Sequence, residues 1–158
     1  MAIDQFSKTG DYFFLSSMYP VGGGIETEEG VTAKSAENIY QASKFEDPNA
    51  QLEVLGADTG YAAKKVANRL ESSGVPIRED WSEVRVDKMR EAVARKFADG
   101  TKLAKMLILT GEEDIIQGNT HGDNFWGVSP PGNPNGKNML GKILMKRRDE
   151  LSSSRAKR

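Results

Sequence analysis

The sequence predicts a mainly α-helical domain with a small β element near the N-terminus. Three observations predict it. Apolar residues recur at helical spacing, most clearly Val86, Met89, Val93 and Phe97, which step 3, 4 and 4. Helix-start residues stand ahead of several such stretches: Ser35, Asp47 before Pro48, Asp80 and Thr101. The only short aromatic or β-branched runs bounded by turn residues, Tyr12-Phe13-Phe14-Leu15 and Gly30-Val31-Thr32-Ala33, lie in the first third of the chain.

Taken in order, those two runs read as extended. Between them Gly22-Gly23-Gly24 is followed by Glu26, Glu28 and Glu29, not by a helix start. The glycines therefore read as a flexible hairpin loop, not a phosphate cradle. Ser35 is an N-cap, and Glu37 falls in the first turn, where the helix dipole favours an anion. Asp47-Pro48 opens a second helix, with Leu52 and Leu55 on one face and Gly56 as its stop. Ala62, Ala63, Val66, Ala67 and Leu70 form a third, ending near Gly74. Asp80 and Glu83 have the spacing of a capping box ahead of the long fourth helix. Thr101 caps a short helix through Leu103, Met106 and Leu107, and Pro130 to Gly136 is a turn-rich loop. Met139, Leu140, Ile143, Leu144 and Leu151 carry the last helix. With no repeat and no long linker, residues 1–151 read as one domain and 152–158, rich in Ser and basic, as a frayed tail.

Composition narrows the function classes. The chain has 158 residues, 37% of them hydrophobic and 28% charged, with a mean hydropathy of −0.56, as expected of a soluble domain. Its longest strongly apolar run, Met106 to Leu109, is too short to span a bilayer. Met1 to Phe6 lacks the basic and apolar regions of a signal peptide, so a cytoplasmic protein is expected. Cys is absent, which excludes disulfides and thiolate chemistry. Net charge is −1, yet Lys142, Lys146, Arg147, Arg148, Arg155, Lys157 and Arg158 crowd the C-terminus. They read either as a contact for phosphate or nucleic acid, or as a solvated helix end. His121 is the lone histidine, and no metal-ligand spacing accompanies it. No dinucleotide, P-loop or serine-hydrolase motif occurs, so neither a metal nor a cofactor is expected.

The residues that carry chemistry lie in two places. Glu37, Gln41 and Lys44 are spaced 4 and 3, so a carboxylate, an amide and an ammonium share one helix face. Lys44 suits a phosphate there and Glu37 a reacting centre; a solvated face is the alternative. Much later, Asp123-Asn124-Phe125-Trp126-Gly127 sets an acid beside one of the two tryptophans in a Gly/Asn-rich loop. An aromatic held in a polar loop suits stacking on a base or sugar. Asp123 reads as a second carboxylate, an anchor for sugar hydroxyls or a loop cap. Two carboxylates beside an aromatic wall are what a glycoside-cleaving or nucleoside-binding pocket needs. Trp81, the other tryptophan, reads first as a packing residue.

These stretches, in this order, resemble the NADAR (YbiA-like) family. The resemblance rests on Phe14-Leu15-Ser16-Ser17 through Tyr19-Pro20, on Ser35-Ala36-Glu37 through Lys44-Phe45, and on Trp81 through Met89. Lys96-Phe97, Leu109-Thr110-Gly111, Asp123 to Gly127, and Asn138 through Leu140-Gly141, Leu144-Met145 and Arg148 complete it. It covers the chain from Phe14 to about Leu151. It implies an N-glycosidase without metal or redox cofactor, on a YbiA-like mostly helical fold. Members similar to this chain cleave ribosylamine-type riboflavin intermediates, or remove ADP-ribose from guanine bases in nucleic acid. By position the resemblance makes Glu37 and Asp123 the catalytic pair. Trp81, Trp126, Gly127, Tyr40, Lys44 and Asn138 would bind substrate. The chain departs from the family pattern at Ser17 (commonly Asn), Asn38 (often His), Gln117 (usually Glu) and His121 (often Trp or Pro). Gln117 removes a carboxylate near the pocket, which keeps a second expectation in play, a module that binds ADP-ribose or NAD without cleaving it. A small nucleic-acid-interacting protein using the basic C-terminus is the third.

Overall fold

Side-chain caps set most of the helix starts in the computed structural model, which describes residues 2–156. The elements are a 3-10 turn (Phe13–Leu15), strands β1 (Ile25–Glu26) and β2 (Thr32–Ala33), and six helices. The helices are α1 (Ala36–Ala42), α2 (Pro48–Leu55), α3 (Gly60–Ser72), α4 (Trp81–Lys96), α5 (Lys102–Leu109) and α6 (Met139–Ala156). The predicted fold class, mainly helical with a small β element, is the fold observed. Ser35, Asp47 and Thr101 cap α1, α2 and α5 by accepting from the amides of Asn38, Asn49 and Ala104. Thr59, which the apolar spacing alone does not single out, caps α3 through the amide of Ala62.

By its contacts the chain divides into two compact units. The first, Ser17–Lys96, holds the hairpin and α1 to α4. Strands β1 and β2 pair antiparallel, Ile25 with Ala33 and Glu26 with Thr32. Its core is one cluster of Ala33, Ala42, Phe45, Ala50, Val54, Leu55, Ala63, Ala67 and Leu70. The small residues let helices approach closely. A Cβ on Gly60, the first residue of α3, would lie 2.8 Å from Ser35 Oγ and 3.1 Å from Glu37 Cβ. Asn38, fully buried on α1, donates to the carbonyls of Val54, Leu55 and Ala57 and so closes the C-terminal end of α2.

The second unit, Met1–Ser16 with Phe97–Arg158, holds the 3-10 turn, α5 and α6. Ile3 joins Ile115 in a parallel bridge, donating to the Asp114 carbonyl and accepting from the Ile116 amide at 2.7 Å each. Phe14 and Phe97 meet edge to face, and both are buried. Arg148 is buried with its guanidinium on Thr110 Oγ1, and Arg147 donates twice to the Phe97 carbonyl. These two arginines staple α6 within its unit, while Lys142 and Lys146 remain exposed. The phosphate-binding reading of the basic C-terminus loses Arg147 and Arg148; Lys157 and Arg158 lie outside the described residues.

Four local expectations are corrected. Tyr12 to Leu15 is not a strand: the Leu15 and Ser16 amides close a 3-10 turn onto Tyr12 and Phe13, and Phe14 and Leu15 are buried. Aromatic composition fits any half-buried surface, not only a pleated one. Gly22 to Gly24 is not the hairpin loop. It is a tight turn closed by the Gly24 amide on the Val21 carbonyl, and residues 27–30 turn the hairpin, Gly30 donating to Thr27. At α4 the Asp80 carboxylate takes Arg78 in a two-point pair, Nε to Oδ1 at 2.6 Å and Nη2 to Oδ2 at 3.1 Å. That pair holds Asp80 below the usual carboxylate range, chiefly through the hydrogen bond from Arg78. Finally, α6 continues through Ala156, so residues 152–156 prolong the helix instead of leaving it at Leu151. Among the described residues no helix is long and apolar enough to cross a membrane.

Candidate functional site

In the unit Ser17–Lys96, the site begins with α1. Glu37 is only 6% exposed, an uncommon place for a carboxylate unless it is well bonded. It is well bonded. Gln41, one turn on, donates Nε2 to Glu37 Oε1 at 2.9 Å. Ser17 donates Oγ to Glu37 Oε2 at 2.9 Å and accepts the Glu37 amide on its carbonyl at 2.9 Å. The spacing of Glu37 and Gln41 placed them on one helix face; the bond between them is seen only in the structure. Ser17 entered the sequence reading only as a departure from the family pattern. Twenty residues separate it from Glu37, and no local rule joins them.

Lys44 follows the C-terminal end of α1 and is half-buried. Burial lowers its ammonium below the usual lysine range, against the attraction of Glu71 and Glu37. A partly desolvated lysine that feels these carboxylates suits an anionic ligand, which would restore the charge its surroundings disfavour. Tyr40, three residues after Glu37 on α1, is buried against the ring of Trp81 at the start of α4, with centroids 5.1 Å apart. The structure therefore gathers four predicted residues, Glu37, Tyr40, Lys44 and Trp81, in one unit. Lys96, named in the sequence only as part of the Lys96-Phe97 motif and given no role there, is buried on α4 with its ammonium 5.5 Å from the centre of the Tyr19 ring. Burial lowers its pKa to about 7.

The other unit holds Asp123, Trp126, Gly127 and Asn138, and their geometry is a lesson in loop building. Asp123 Oδ1 accepts the amides of Phe125 at 3.1 Å and Trp126 at 3.0 Å, the loop-cap arrangement. Asn119 grips Asp123 from both sides, amide to carbonyl and carbonyl to amide. The half-buried Trp126 ring meets Phe125 edge-on at 4.9 Å. Gly127 is buried where a Cβ would lie 2.2 Å from the Gln117 carbonyl oxygen, so no other residue fits without a backbone shift. The carbonyls of Phe125, Trp126 and Gly127 accept from Met139, Leu140 and Asn138, amides at the start of α6 that lack partners within the helix. Asn138 adopts a left-handed backbone, φ 51°, and spends its side chain on the Gln117 amide and the Ile115 carbonyl. His121 is exposed. Among the described residues no group of three or more histidines and acids is arranged to hold a metal ion.

Comparisons with known proteins show the family to which the chain belongs. A family model, the NADAR domain, matches residues 5–152. The chain belongs to the NADAR family. The NMR structure of the E. coli protein YbiA superposes with a TM-score of 0.82 at 26% identity, covering all of this chain and 89% of that one. In sequence, a protein of Shigella boydii named N-glycosidase YbiA is 30% identical over 152 residues, which cover 95% of this chain and 88% of its own. A riboflavin biosynthesis protein of Vibrio vulnificus is 37% identical over 138 residues. The NADAR chain described here covers 87% of itself in that match but spans only 35% of the Vibrio protein.

Proposed function

We propose that the protein is an N-glycosidase that hydrolyses the C1′–N bond of a ribose-phosphate-bearing or ADP-ribose-like substrate. The observation that carries this reading is Glu37, a buried carboxylate bonded on both oxygens, on the same short helix as Tyr40 and just ahead of Lys44. The family and the names of its YbiA relatives support the reaction class. The substrate itself, ADP-ribosylated guanine in nucleic acid or a ribosylamine related to riboflavin synthesis, is the finer part of the proposal.

Breaking a C1′–N bond leaves positive charge on the sugar, an oxocarbenium-like state. In this reading the Glu37 carboxylate faces that charge and stabilises it as it develops. Water adds its oxygen to C1′ and the departing base takes a proton on nitrogen, so the products are a free sugar and a neutral base. Lys44 meets a phosphate, and Tyr40 and Trp81 offer aromatic surface. The roles implied for Asp123, Trp126, Gly127 and Asn138 belong to the same proposal, as does independence from metal. Incubation with ADP-ribosylated guanine oligonucleotide and with the aminouracil ribosylamine, followed by mass spectrometry, tests it. Release of the free base from either supports the reading. Binding of ADP-ribose without release from either would make the protein a binding module instead.

A further inference from the structure

Gln41 is an expensive residue to keep where it is. Its side chain is buried, and its Oε1 has no hydrogen-bond partner among the described residues. A buried acceptor left unsatisfied destabilises the fold by the full cost of stripping it of water. A leucine or methionine at this position would avoid that cost and fill similar space. What those residues lack is the donor Nε2, which sits 2.9 Å from Glu37 Oε1. Ser17 supplies the matching donor to Oε2 from outside the helix, at the same distance. Gly60 closes a third side, since any Cβ there would press on Glu37 Cβ and Ser35 Oγ. Bonds on both carboxylate oxygens and a glycine against the stem leave Glu37 one orientation.

We propose that Ser17 and Gln41 are positioning residues that hold Glu37 with both oxygens as acceptors. Held this way, the carboxylate offers a fixed negative charge to a developing cation and does not serve as the proton donor. The claim rests on the N-glycosidase reading for its kinetic part only. Neither residue touches substrate in this account; both act through Glu37.

A double-mutant cycle tests it, using Gln41→Met and Ser17→Val in the parent and in a Glu37→Gln background. In the parent each should lower kcat about 10- to 100-fold with little change in KM, the cost of a misplaced catalytic group. In the Glu37→Gln background neither should lower the residual rate further. Ser17→Thr keeps the hydroxyl and should stay close to the parent. Additive losses in both backgrounds, or a raised KM with kcat preserved, would overturn the proposal. A readout without substrate accompanies the kinetics: the carboxyl carbon resonance of Glu37 in labelled protein, assigned by its loss in Glu37→Gln. Both substitutions should shift that resonance, and Ser17→Thr should not. An unmoved resonance sinks the positioning role even if turnover is never found. Absent turnover with a shifted resonance sinks the N-glycosidase reading alone.

Discussion

At the scale of single residues, the shared helix face of Glu37 and Gln41 was legible because about four positions make one helical turn, whereas their burial and the bond between them were not. Ser17 and Asn138 were not legible in their structural roles. Ser17 reaches Glu37 across the chain, and Asn138 bonds backbone more than twenty positions earlier while holding a left-handed conformation. Asp123 shows why a motif alone leaves roles open: its Oδ1 orders the Trp126 backbone whatever else the side chain does. Trp126 can be tested directly. If its ring stacks on a base, Trp126→Phe keeps part of the stack and Trp126→Ala loses about 1–3 kcal/mol of substrate stabilisation. If the ring is a packing wedge, Trp126→Ala costs about 3–5 kcal/mol of stability instead. We expect kcat/KM per folded molecule to fall in the order parent, Phe, Ala. Normal kcat/KM in a destabilised Trp126→Ala protein would assign the ring to packing.

At the scale of elements, caps made most helices readable, since Ser, Asp or Thr announces a start with a single side chain. The strands were less readable because two-residue strands carry too little pattern for period-two alternation to show. The start of α6 depends on contacts no window of sequence contains. Gly141, in its first turn, passes so close to Ile115 that a Cβ would lie 2.1 Å from the Ile115 carbonyl oxygen. Gly141→Ala should therefore destabilise by about 1–3 kcal/mol through forced displacement, although alanine is the better helix former. A melting temperature equal to or above the parent's would refute the close approach. At the other end of α6, Ser154 donates to Asp99, a contact a frayed tail would not make. Ending the chain after Leu151 should lower the melting temperature by a few degrees, consistent with losing a helical turn worth about 1 kcal/mol. Turnover of a free nucleotide substrate should stay unchanged.

At the scale of the whole molecule, the mainly helical class was legible, whereas the division into two units was not. The second unit joins Met1–Ser16 to Phe97–Arg158 through pairings such as Ile3 with Ile115, and periodicity reports nothing at that separation. Lys96 gives the molecule a pH signature. Burial lowers its pKa to about 7 from an ordinary 10.5, so between those values the folded protein binds fewer protons than the unfolded chain. Stability from this group then rises with pH across that window, by up to about 1.4 kcal/mol per unit. Lys96→Met removes the effect, so its melting temperature relative to the parent should be highest near pH 7 and fall toward pH 10. A constant difference across that range would show that burial does not lower the Lys96 pKa into this window.

Chelation with EDTA should leave turnover intact, since no step of the proposed reaction calls on a metal; loss of activity restored by one metal ion would contradict that. The central claim, however, is that Glu37 carries N-glycosidic cleavage. Its most direct test compares the parent with Glu37→Gln for base release from ADP-ribosylated guanine and from the aminouracil ribosylamine. Circular dichroism and ADP-ribose affinity verify that the near-isosteric variant is folded and still binds. The account predicts release by the parent and a loss on the order of 10²-fold or more in the variant, the usual effect of removing a transition-state electrostatic contact. Release by Glu37→Gln within twofold of the parent would contradict it.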